Sequence, residues 1–215
     1  VNASGAKVGA DELHAVTQVF TERYMVHFLL HNTLGAWWAG KVLAKRPRLV
    51  QTARDETELR KACALPGCAW EYLRFVKDAE GWRPAAGRFE HWPQRAADLR
   101  VLDPSCGSGH FLVAALDLLT ELRATEEADD LQASAVAVLR DNLYGLEIDE
   151  RCAQLAAFAL ALRVWTLPRA AGHVELPDLN VACVGLAPQT AKADWKDLAR
   201  GDTRAANSLE DLHDM

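Results

Sequence analysis

The run Val101-Leu102-Asp103-Pro104-Ser105-Cys106-Gly107-Ser108-Gly109-His110-Phe111-Leu112 carries the residue types needed to hold a small polar ligand. A short apolar stretch ends on a carboxylate, two glycines let the backbone turn with no Cβ in the way, and a helix-forming run follows. Free N–H groups at a helix start, together with the positive end of its dipole, favour an anionic or polar ligand group. A carboxylate at the end of a buried strand is costly without a partner, so Asp103 either caps the loop or faces a ligand's ammonium group. A second run, Asn142-Leu143-Tyr144-Gly145-Leu146-Glu147-Ile148-Asp149, is again an apolar strand ending on an acid. In doubly wound sheets an acid at the end of the second strand accepts the two ribose hydroxyls of a nucleoside. Glu147 is the residue placed for that contact, and Asp149 fits the N-cap of the following helix.

Other phosphate-binding loops are less consistent with this run. A dinucleotide fingerprint needs a third glycine after Gly109, where His110, Phe111 and Leu112 stand. A Walker loop needs Gly-Lys followed by Ser or Thr, which the sequence lacks. A strand-to-helix turn that is merely glycine-rich remains the alternative.

These runs need strands and helices to position them. From Leu99 onward short apolar strands alternate with long apolar helices: a strand end at 100–102, helices at 111–122 and 129–140, a strand at 143–146, a helix from Asp149 or Glu150 to Trp165, and a strand at 179–184. Such alternation implies a parallel sheet covered on its faces. The separation of Glu147 from Gly109 exceeds that of a simple βαβ unit, and the extra helix at 129–140 accounts for it. Upstream, the spacing of Tyr24, Met25, Phe28, Leu29 and Leu34 predicts one amphipathic helix over 21–38, capped by Thr21. A helical piece near 55–63 follows, then a hairpin of 72–76 and the Trp82 region around the turn at 78–81. Asn207 and Glu210 are spaced as a capping box for a short terminal helix.

The run D-P-S-C-G-S-G-H-F-L, followed by L-Y-G-L-E-I-D, resembles the first two motifs of the N6-adenine DNA methyltransferases, in which D-P-x-C-G-S-G-x-F is a signature. The stretch from Thr17 to Val26 is similar to the segment that precedes the cofactor motif in the gamma order of these enzymes. His31 to Gly35 and Arg83 to Gly87 further resemble the large methyltransferases of restriction and phage-exclusion systems. The similarity covers about residues 15–186. It implies an α/β fold, the S-adenosylmethionine-dependent, Rossmann-like doubly wound sheet, present in part and with an N-terminal helical extension. It implies S-adenosyl-L-methionine as cofactor, with Thr21, Asp103, Pro104, Cys106, Gly107, Ser108, Gly109, Phe111, Glu147 and Ile148 as the residues that bind it.

Two departures from that family pattern stand in the sequence. Glu22 occupies the position where the family has proline, which leaves the loop at Thr21 less preset in φ. The family's catalytic Asn-Pro-Pro-Tyr or Asp-Pro-Pro-Tyr run does not occur, and Asn180 and Asn207 are followed by Val181 and Ser208. In the family that run accepts hydrogen bonds from the adenine amino group of a flipped base. The chain also lacks an acid directly after Val184, for which Asp202 is a late substitute. The expectation is therefore a cofactor-binding portion without catalytic residues, inactive alone. Its boundaries are read as 1–98 for the extension, 99–187 for the α/β core and 188–215 for a polar terminal segment. Rival readings are a non-catalytic docking module and a fragment of an RNA or protein methyltransferase.

Bulk properties bound the rest. At 215 residues the chain suits one well-buried domain with appendages. A net charge of −6 argues against strong nucleic-acid binding by this piece alone, so DNA contact is expected through regions outside it. The other expected partner is the remainder of the methyltransferase. If the strand ending at Asp103 lacks its second neighbour, edge-to-edge pairing of two copies is expected. No membrane association is expected and a cytoplasmic site is, since no apolar run approaches the roughly 18 to 20 residues of a span. The five cysteines form no regular framework, and no metal site is expected of Cys63 and Cys68. His110, Trp37, Trp38, Arg46, Arg48 and Arg54 are read as packing or solvated residues.

Overall fold

The computed structural model describes residues 21–167 and 174–184. The chain divides into two compact units, the first formed by 1–62 and 70–88, the second by 63–69 and 89–215. The start of the strand–helix alternation at Leu99 thus lies inside the second unit, which takes in 63–69 and 89–98 as well.

In the first unit, α1 (Arg23–Asn32) and α2 (Leu34–Ala44) replace the single helix expected from the spacing. They are separated at Thr33, whose backbone leaves the helical region at φ −114°, ψ −81°. The cap position of α1 is Glu22, not Thr21, and no side chain caps it. The helix is also turned differently from its sequence pattern. Val26, Leu30 and His31 are buried while Tyr24, Met25, Phe28 and Leu29 are about half exposed. The reason is tertiary: His31 Nδ1 accepts the Tyr72 N–H at 3.2 Å and its ring meets Trp70 edge-on, so this side of the helix seats on the 70–72 segment. Burial, with the neighbouring His27, lowers the His31 pKa to about 4, keeping the ring neutral as that acceptor role requires. Trp37 is buried, as read from the sequence. Two short helices follow, α3 (Pro47–Thr52) and α4 (Glu56–Cys63), the latter where the sequence places it. The hairpin β1 (Phe75–Asp78) and β2 (Gly81–Pro84) pairs Asp78 opposite Gly81 across the expected turn.

The second unit holds a three-stranded parallel sheet in the order β3 (Val101–Asp103), β4 (Leu143–Glu147), β5 (Val181–Cys183). Its helices are α5 (His110–Glu127), α6 (Leu131–Asp141) and α7 (Glu150–Trp165). Each forms for local reasons and is held by burial of one stripe. On α5 the buried positions Leu112, Ala115, Leu116, Leu119 and Leu122 repeat at three- and four-residue spacing. Asp130 caps α6 by accepting the N–H groups of Gln132 and Ala133, and Asp149 caps α7 by accepting that of Arg151. Among the described strands β3 has β4 as its sole neighbour, and Leu102 on it is 56% exposed. The capping box at 207–210, the polar segment after Gln189, Asp202 and residues 17–20 of the upstream stretch lie outside the described residues.

The β3–β4 register is pinned at the N-terminal end of the strands. Asn142 is fully buried; its amide donates to the carbonyls of Leu99 (2.7 Å) and Ala96 (2.9 Å), and its side-chain oxygen accepts from Arg123 at 3.2 Å. The Asn142 carbonyl takes the Val101 N–H at 2.8 Å. Arg123, itself buried, also pairs with Glu127 and Asp141, so its charge is balanced.

Candidate functional site

At the opposite end of the same strands, β3 delivers Asp103 and β4 delivers Glu147 to neighbouring positions. The register pairs Asp103 with Gly145, two residues before Glu147. The glycine loop closes against β4 through its backbone, Cys106 N–H donating to the Leu146 carbonyl at 2.9 Å. Gly107 N–H then donates to Glu147 Oε2 at 2.6 Å. Glu147 Oε1 takes the N–H groups of Ile148 (2.8 Å) and Asp149 (3.1 Å). The two motifs read separately from the sequence are therefore in direct contact, and one carboxylate ties the loop to the turn that begins α7.

The two loop glycines differ in what surrounds them. Gly107 has φ +54° and no atom within 4 Å of where a Cβ would stand, so the backbone there borders open space. Gly109 has φ +86°, and a Cβ would lie 2.9 Å from the Ala156 Cα and 3.0 Å from its Cβ. Both use the left-handed backbone that L side chains rarely adopt. Only Gly109 is also required by packing, because α7 presses on it. Gly109 occupies the N-cap of α5, with no side chain capping that helix.

Asp103 is partly buried, and its Oδ1 accepts the Ser105 N–H at 3.1 Å, so it does cap the loop. Burial raises its pKa above the ordinary carboxylate value, the Ser105 bond opposes that, and the Glu147 charge adds to the rise. Burial, then the charges of Asp103 and Glu147, push the Cys106 thiol up to about 11. It is therefore protonated, and packs as a small apolar group instead of serving as a nucleophile. Ser108 Oγ lies 3.2 Å from His110 Nδ1, at the first residue of α5. Pro104 is exposed in the loop, Phe111 half-buried on the first turn of α5, and Ile148 48% exposed beside Glu147. Thr21 is exposed before α1 in the first unit.

Two residues that hold this site together were not singled out by sequence. Gly145 lets β4 approach the loop, since a Cβ there would meet Leu112 at 2.8 Å and the Cys106 sulfur at 3.2 Å. Asn142 sets the register from the other end of the strand. A glycine inside an apolar strand and a polar residue just before it are the signals available. A cleft of about 510 Å³ lies elsewhere, in the first unit, lined by Phe28, Glu56, Arg60, Tyr72 and Arg74 among others. Of the carboxylates lining it, Asp55, Glu56 and Glu71, Glu56 is engaged by Arg60 and Arg74, and no sequence motif with chemistry maps there.

Comparison with known proteins shows what the chain is similar to. Residues 81–176 match the DNA-methyltransferase domain of MmeI, a segment that contains both motifs. The chain is 32% identical over 156 residues to the adenine-specific methyltransferase PglX of Lacticaseibacillus casei (strain Zhang), covering 72% of this chain and 12% of that protein. It is 29% identical over 164 residues to the adenine-specific methyltransferase BrxX of Escherichia coli O9:H4 (strain HS), covering 74% and 12%. A putative type II restriction enzyme and methyltransferase of Methanocaldococcus jannaschii is 35% identical over 98 residues, 40% of this chain and 8% of that protein. The chain is thus similar, over the segment that carries both motifs, to a DNA-methyltransferase domain and to adenine-specific methyltransferases. It spans about an eighth of the length of the two adenine-specific relatives.

Proposed function

We propose that this chain is the S-adenosylmethionine-binding part of an adenine-N6 DNA methyltransferase with a Rossmann-like sheet. The observation that carries the reading is the meeting of the glycine loop with Glu147 at the carboxyl ends of adjacent parallel strands, where ligands bind in open α/β sheets. The residues present suit the cofactor. Asp103 and Glu147 raise the local demand for a cation, which an α-ammonium group meets. The uncapped start of α5 suits the carboxylate of the same amino-acid moiety. The space at Gly107 admits close approach of a ligand to the backbone. Glu147 takes the ribose, with one constraint. Its Oε1 already accepts two N–H bonds, whereas Oε2 accepts one. A carboxylate oxygen has about two lone pairs, so one hydroxyl adds at Oε2 and the second displaces a bond from Ile148 or Asp149. When bound, the cofactor supplies an electrophilic methyl group on its sulfonium.

Without an Asn-Pro-Pro-Tyr run in these 215 residues, the residues that would hold the acceptor adenine are not among those described, and the chain alone binds cofactor without transferring methyl. Calorimetry with S-adenosylmethionine and its demethylated product tests the reading. Binding is expected, and Glu147→Ala should weaken it by about 1.5 to 3 kcal/mol, the range for hydrogen bonds to a charged group. No heat at millimolar ligand from a folded chain refutes it. Tritiated cofactor with adenine-rich duplex should leave the DNA unlabelled; label that disappears in Gly107→Asp would show the chain to be a complete catalyst.

A further inference from the structure

The net charge of −6 conceals two opposite halves. Among the described residues the first unit carries twelve Lys and Arg against seven Asp and Glu, and the second carries six against fifteen. The excess cations of the first unit are not spread evenly. Lys45, Arg46, Arg48, Arg54 and Lys61 are all exposed, and none has a carboxylate within ion-pair distance among the described residues. Tertiary contacts gather them. Arg46 donates to the Ala62 carbonyl at 3.1 Å, which brings the end of α2 beside Lys61 at the end of α4. The six-residue helix α3, about 9 Å long, carries Arg48 and leads to Ala53. There the Trp82 indole donates to the Ala53 carbonyl at 2.9 Å, next to Arg54, and the Lys77 ammonium stands 5.7 Å over the Trp82 ring. The acids of this stretch are largely turned onto local partners. Glu58 accepts the Arg54 N–H, Glu56 holds Arg60 and Arg74, Asp78 holds Arg83 and Glu80 holds Arg88, which leaves Asp55 and Glu71 as the exposed acids with no ion pair among the described residues.

We propose that this strip of the first unit is a contact for the phosphate backbone of duplex DNA, independent of base sequence. The assignment rests on the reading of the chain as part of a DNA methyltransferase, which makes a polyanionic duplex the macromolecule present. Evenly exposed cations without bidentate carboxylate partners suit phosphate contacts, which position a protein on DNA and carry no sequence information. An enzyme that acts on one base needs such contacts away from the base pocket to hold the duplex while the base is extruded. The whole-chain charge therefore does not exclude DNA contact by this piece, because the acidic residues are concentrated in the other unit.

Fluorescence anisotropy of a labelled mixed-sequence duplex, titrated with the 215-residue chain, tests the assignment. With three phosphates engaged, affinity should fall about 40-fold between about 50 and about 200 mM salt, the logarithmic slope being roughly −0.9 per phosphate. The triple reversal K45E/R48E/K61E should weaken binding at least tenfold at low salt and flatten the slope by about 2 to 3. All three side chains are exposed, so circular dichroism and cofactor calorimetry should be unchanged in this variant. The triple reversal R95E/R100E/R140E, in the second unit, imposes the same change in net charge. Equal losses in the two variants, no binding at low salt, or equal binding of polyglutamate and DNA would overturn the proposal. Failure of the cofactor titration with salt-dependent, strip-dependent DNA binding intact would instead refute the cofactor reading alone.

Discussion

The two ends of the β3–β4 pair place polar groups in opposite circumstances. At the N-terminal end Asn142 is fully buried with every strong contact satisfied, linking α5, the entry to β3 and the start of β4. At the C-terminal end Asp103 and Glu147 are partly exposed, share a region of like charge, and face a loop bordering open space. Satisfied burial gives stability and register; incompletely neutralised groups at an open edge are what a ligand can complete. One strand pair thus has a structural end and, on the proposed function, an end left for a ligand.

Mutations at the two ends should separate these roles, and Asn142→Ala should have the largest effect. It removes two donors from buried carbonyls and an acceptor from the buried Arg123, and should cost about 3 kcal/mol in urea unfolding. A change under about 1 kcal/mol would mean that the register is held by apolar packing. The paired substitutions Gly109→Ala and Gly107→Ala come next. At Gly109 the left-handed backbone and the contact with Ala156 together should cost about 2 to 4 kcal/mol of stability. At Gly107 only the backbone penalty of about 1 kcal/mol applies, while cofactor affinity should fall at least tenfold because the new methyl enters the open space. Reversal of this order would show that the wrong glycine has been assigned to the site.

The smallest effect is expected from Asp103→Asn, with the opposite sign on stability. The folded-state pKa of Asp103 is raised, so the folded chain holds this proton more readily than the unfolded one. Its ionised form therefore destabilises the fold at neutral pH, and the penalty disappears as pH falls through the folded value towards the unfolded one, about 3.9. Asparagine should stabilise the chain at pH 7 by less than about 1 kcal/mol, given solvent screening. That gain should vanish near pH 4, and cofactor binding should weaken. A variant less stable at neutral pH would show that the Ser105 contact outweighs the repulsion from Glu147.

Much of the second unit was legible in the sequence because its signals are local. The glycine pair after an apolar strand, the acid ending the next strand and the cap at Asp149 each act within a few residues, and α7 begins and ends where they indicate. The hairpin turn at Asp78 to Gly81 was legible for the same reason. Where sequence reading failed, the deciding partner is distant along the chain. The spacing of Tyr24, Met25, Phe28 and Leu29 marks an apolar helix side, yet the side that seats is chosen by His31 meeting Trp70 and Tyr72 some forty positions on.

By itself, then, the sequence determined the order of strands and helices in the second unit, the loop and the carboxylates, since backbone preference and apolar periodicity operate over one or two turns. Tertiary structure decided what those parts do to one another. It brought Glu147 to the Gly107 N–H across forty residues, set α7 against Gly109, buried Asn142 at the opposite end, and gathered the cations of α2, α3 and α4 through Arg46 and Ala62. These juxtapositions depend on parallel pairing and helix packing, whose partners are far apart in sequence and have no local signature.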